Sequence, residues 1–72
     1  MIDVVEARNS VERYLKENDI SFLGVGTAKG INDQYEVTVR LASGEDVFYV
    51  DRNTGDVTPD RKAGRMINKT YW

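Results

Sequence analysis

From Asp3 to Asn18 the apolar residues recur at helical spacing. Val4, Ala7, Val11, Tyr14 and Leu15 fall within one narrow arc at about 100° per residue, while Glu6, Glu12, Arg13, Lys16 and Glu17 mostly lie elsewhere. That arc predicts a helix with one core-facing stripe. Asp3 followed three residues later by Glu6 has the spacing of a capping box, and both carboxylates suit the positive end of the helix dipole. The helix is expected to start at Asp3 or Val4 and to stop near Asn18. From Ile20 the period changes to two. "ISFLGVGTAKG" alternates loosely and carries Gly24 and Gly26, which predicts a bent or bulged strand, and "KGIND" supplies the turn that closes a hairpin. In "QYEVTVRLA" the alternation is clean: Tyr35, Val37, Val39 and Leu41 point one way, Glu36, Thr38 and Arg40 the other. "SGED" at 43–46 reads as the next turn. "VFYVD" follows as a third strand with apolar residues on both faces, so either its second face is covered or Phe48 and Val50 lie exposed.

After the third strand comes "TPDRKAGRMINKTYW", where Thr58, Pro59 and Asp60 supply a hydroxyl cap, a proline at the first helical position and an acid in the first turn. A short C-terminal helix over 58–72 is predicted, with Ala63, Met66, Ile67 and Thr70 on one side and Arg61, Lys62, Arg65 and Lys69 on the other; Gly64 leaves a looser tail as the alternative. The expected fold class is α+β, with an N-terminal helix packed on a three-stranded antiparallel meander and then a C-terminal helix or basic tail on the same domain (αβββα). Residues 1–57 form the body and residues 58–72 the appended element.

Composition narrows the chemistry. At 72 residues this is a single domain with a small core, close to the size at which packing alone suffices. There is no Cys and no His in the sequence. Disulfides, thiolate zinc sites and thiol chemistry are excluded, as are imidazole general bases and triads of the Ser/His/Asp kind. No apolar run approaches the roughly 20 residues of a membrane span, and "MIDVVEARNS" lacks the features of a signal peptide. A soluble chain is expected, cytoplasmic by default and extracytoplasmic where an export signal has been removed. Residues 1–59 hold 11 acidic and 6 basic side chains, net −5, whereas residues 60–72 are net +3.

The stretch "YVDRNTGDV", residues 49–57, concentrates oxygen-bearing side chains at short spacing. As a calcium loop it is poorly matched, because Gly55 stands where the fifth-position ligand should be and the twelfth position is Lys62. As a β-turn it is well matched. Asn53 and Thr54 would form the corner, Gly55 would take φ > 0, and Asp56 would restart an extended strand at Val57. Around this turn the chain resembles the PepSY domain pattern, through Tyr35, Val37, Val39, Gly44, Val47, Tyr49, Val50, Asp51, Thr54, Gly55, Asp56 and Val57, with an amphipathic helix ahead of them. The resemblance covers roughly residues 3–57. It implies a helix against a curved antiparallel sheet and a non-catalytic role, as in the inhibitory and chaperoning regions of protease propeptides and small modules of cell-envelope proteins.

Three functions compete. The first is a protein-binding or regulatory module that takes a protein partner or a second copy through its sheet face or edge, with Phe48, Val50, Tyr71 and Trp72 as candidate contacts. The competing expectation, slightly preferred, is that Tyr71 and Trp72 fold back to enlarge the small core. The second is nucleic-acid binding through Arg61, Lys62, Arg65 and Lys69, since αβββα with a basic second helix is also the order of double-stranded-RNA-binding domains; the acidic body opposes it. The third is catalysis by carboxylates such as Glu45 with Asp46 or Asp51 with Asp56, and neither pair has a convergent third group. The expectation is a binding module with no catalytic residues, no cofactor and no metal.

Overall fold

A computed structural model describes residues 1–59 of the chain. Helix α1 (Val4–Glu17) is followed by strands β1 (Gly24–Ile31), β2 (Gln34–Leu41), β3 (Gly44–Asp51) and β4 (Val57–Pro59), which form one antiparallel sheet in the order β1-β2-β3-β4. The fold is α+β, a helix on one face of a meander. The meander has four strands where three were expected.

Local chemistry sets both ends of α1. At the N-terminus Asp3 is the cap, its Oδ1 accepting from the Glu6 N–H at 2.9 Å, which satisfies one of the four amides a helix start leaves unpaired. At the C-terminus Asp19 enters the left-handed region at φ 56°, its N–H donates to the Lys16 carbonyl, and Ile20 N–H donates back to the Leu15 carbonyl at 2.9 Å. This is a Schellman closure, with Asp19 where glycine is usual and with its accompanying apolar residues, Ile20 and Leu15, both in the core cluster. Ile20 and Phe22 therefore link helix to sheet, and β1 begins only at Gly24. Ala7, Val11 and Leu15, four residues apart, are wholly buried, whereas Val4 shares their arc but, as the first helical residue, stays exposed.

The other half of the core comes from the sheet. Tyr35, Val37 and Val39 of β2 and Phe48 and Val50 of β3 are buried against α1, and the Tyr14 ring meets Phe48 with centroids 5.8 Å apart at 59°. The register explains the parity. Phe48 pairs with Val37 and Val50 with Tyr35, so both face the helix, and Val47 and Tyr49 take the outer face half-buried. Phe48 and Val50 are thus core residues, and the expectation that they form an interaction surface is corrected. The β2–β3 turn falls at Ala42 and Ser43, slightly earlier than expected, and Gly44–Asp46 already belong to β3.

β1 is bent, as its glycines predict. Val25 pairs with Val39 and Ala28 with Val37, so Gly26 and Thr27 together oppose Thr38 and form a bulge. A Cβ on Gly26 would lie 3.0 Å from the Thr38 carbonyl oxygen, so the bulge closes tightly only around a residue without a side chain. β4 replaces the expected helix start: Val57 pairs with Val50, Thr58 with Tyr49 and Pro59 with Phe48. The Thr-Pro pair carries a good local helix signal, but backbone partners along β3 outweigh it, and proline is tolerated at the end of a short edge strand. The rest of the predicted C-terminal helix lies outside the described residues.

Candidate functional site

The Asp51–Asp56 segment is a self-capped turn. Asp51 Oδ1 accepts from the N–H groups of Asn53 at 2.7 Å and Thr54 at 3.0 Å; Gly55 N–H donates to the Asp51 carbonyl at 2.8 Å, and Asp51 N–H to the Asp56 carbonyl at 2.9 Å. Thr54 Oγ1 accepts from Asp56 N–H at 3.2 Å, and Gly55 takes φ 81°. The positive φ of Gly55 and the strand restart at Val57 match the turn reading of this stretch, while the backbone bond that closes it runs from residue 55 to residue 51, one residue wider than a β-turn. The two backbone donors, Thr54 foremost and then Asn53, hold the Asp51 carboxyl below its ordinary value.

Beside the turn, Arg52 ties three segments together. Its Nη1 donates to the Asn32 carbonyl at 3.1 Å, its Nη2 approaches Met1 Sδ at 3.6 Å, and its guanidinium stands 5.0 Å from the Tyr35 ring centroid. Backbone bonds from Ile2 N–H to the Arg52 carbonyl and from Tyr35 Oη to the Ile2 carbonyl complete the tie. This cluster is structural: it anchors the chain ahead of α1 beside the β1–β2 turn, and so fixes where the helix begins relative to β1.

That placement leaves a groove between helix and sheet edge. β1 is an edge strand of eight residues, and α1 leans towards it. Between them runs a groove of about 420 Å³ lined by Val4, Arg8, Val25, Gly26, Thr27 and Ala28. Val4 is 43% exposed, and Val25 and Ala28 are partly buried against the core, so the floor is apolar and the rim open. Arg8 crosses the groove, its Nη2 donating to the Val25 carbonyl at 3.1 Å. A second depression, about 340 Å³, lies on the outer face among Leu23, Gly24, Val25, Gly26, Thr38, Arg40 and Glu45. Both depressions flank β1, because its glycines leave both of its faces thinly covered.

Of the site residues read from sequence, Phe48 and Val50 are buried, while Tyr71, Trp72, Arg61, Lys62, Arg65 and Lys69 lie outside the described residues. Val4 is expected on the core face and instead lines the groove, because it is the first residue of the helix; nothing local marks Arg8 or Ala28, whose positions depend on how the helix crosses the sheet. Among the described residues no helix is long and apolar enough to cross a membrane. No protein-family model, no curated protein and no solved structure matches the chain.

Proposed function

We propose that this chain is a small non-catalytic protein-binding module, of the kind its resemblance to PepSY domains implies, which takes an extended segment of its partner as an added strand along β1. The observation that carries the reading is the pairing of an eight-residue sheet edge with an apolar groove alongside it. Every second residue of an edge strand turns its N–H and C=O away from its neighbour, and these groups bind an extended backbone whatever its side chains. The groove supplies what the ladder alone lacks, a surface on which alternate side chains of the added strand lose water.

The test is a titration of the ¹⁵N-labelled protein with an acetylated, amidated heptapeptide alternating valine and threonine, followed by ¹⁵N–¹H correlation spectra. Shifts centred on Gly24–Ile31 and on Val4 and Arg8 support the reading. Shifts confined to β3 and β4, or none at millimolar peptide, overturn it. The variant Val4→Glu should weaken binding at least fivefold. Val5→Glu, which adds the same charge at a residue outside the groove lining, should leave binding unchanged.

A further inference from the structure

The groove has a polarity that names its ligand more closely, and this inference rests on the strand-addition reading above. Arg8 is the sole charged residue among the six that line it. One of its five donors is committed to the Val25 carbonyl, which orients the guanidinium across the groove and leaves the remaining N–H groups at an exposed position. The next residue along the same helical row, Glu12, is paired with Lys16 at 3.1 Å and is drawn away from Arg8. The far end of the groove, Val4 with Ala28, is apolar. Because of the bulge, Val25 and Ala28 pair with Val39 and Val37, so the interval between them corresponds to two residues of regular strand, about 7 Å. A pair of side chains two residues apart on one face of an added strand spans that interval.

We infer that the groove selects an extended acidic peptide, with a carboxylate set against Arg8 and a small apolar side chain two residues away set against Val4 and Ala28. Charge argues for a foreign acidic strand over the other occupants. Residues 60–72 carry Arg61, Lys62, Arg65 and Lys69, the wrong sign for Arg8. A second copy of β1 brings Lys29 as its only charge and meets the bulge at Gly26 and Thr27, a combination that blunts flat edge-to-edge pairing. The described body is net −5, so its overall field disfavours an acidic peptide and favours a basic one. A preference for acid is therefore a local property of Arg8.

Three heptapeptides Thr-Val-Thr-X-Thr-Val-Thr, with X glutamate, threonine or lysine so that X and a valine two residues away share one face, test this on the full chain, by correlation spectra of wild type and Arg8→Gln at low salt. The expected result is that the glutamate peptide binds at β1 about three- to tenfold more tightly than the lysine peptide, that 0.5 M NaCl collapses the difference, and that Arg8→Gln brings the two within about twofold. Equal affinities in wild type, or a preference that survives Arg8→Gln, overturn the inference and leave strand addition standing, provided that the threonine peptide still shifts β1. Failure of all three peptides to shift β1 defeats both. Shifts of β1 with protein concentration alone would make a second copy the occupant and overturn the acidic peptide.

Discussion

The two edges of this sheet differ in how their backbones are finished. Within the described residues β4 spans Val57–Pro59, includes a proline and is delivered by a turn whose amides are satisfied by its own Asp51 and Thr54. β1 is eight residues long, glycine-rich and bulged, and the helix beside it leaves an apolar groove crossed by one arginine. Proline is one device by which an edge resists unwanted pairing. β1 instead relies on a bulge and on Lys29, which break up a flat ladder without covering it. The lesson is that, among the described residues, one side of the sheet is finished by local turn chemistry and the other is left uncovered.

The largest effect should come from the core that both edges share. Leu15→Ala removes a wholly buried side chain beside the helix closure and should cost about 2–5 kcal/mol. In a chain of this size that is a large share of the total stability. Both edges should lose amide protection together, and protection retained in one alone would show that they do not belong to one cooperative unit. Gly55→Ala comes next. At φ 81° an alanine is strained, so a loss of about 1 kcal/mol or more is expected in denaturant unfolding, with earlier exchange at Thr58 than at β1. A neutral result would remove the turn as the device that closes the β4 side.

Asp51→Asn sharpens the same point through pH. The Asp51 carboxyl is held below its ordinary value of 3.8 by the Thr54 and Asn53 amides, so its charged form is favoured by folding. Its contribution is present above that value and is lost as pH falls through the lower folded-state value. The melting temperature of Asp51→Asn should therefore lie below wild type at neutral pH, and the gap should close as pH falls below about 4. A constant gap would assign the effect to shape instead of charge. The smallest stability effect belongs to the open edge: Val4→Glu should change stability by no more than about 0.5 kcal/mol, since Val4 is exposed at the helix start where an acid is favoured. A large loss there would mean that the groove wall is part of the core.

What could be read from sequence follows the reach of each signal. The bounds of α1, the parity of β2, the bulge at Gly26 and the left-handed Gly55 rest on interactions within a few residues or on simple alternation, and all four are found. The strand restart at Val57 follows from the turn and is found, but Thr58 and Pro59 imitate a helix start locally, so their pairing with Tyr49 and Phe48, which depends on how the turn folds back, is not read from the sequence. The burial of Phe48 and Val50 was ambiguous because β3 is apolar on both faces, and only its register with β2 decides which face is inside. The groove was out of reach for a different reason. It exists because Arg52, Tyr35 and Ile2 fix where α1 starts beside β1, a relation among three chain segments that no single stretch encodes.

The measurement that tests the central claim most directly is amide hydrogen exchange with and without saturating valine–threonine heptapeptide, comparing Gly24–Ile31 with Val57 and Thr58. Strand addition at β1 predicts that alternate amides of Gly24–Ile31 slow by tenfold or more while those of β4 keep their rates. Uniform slowing across the sheet, or slowing confined to β4, would contradict it.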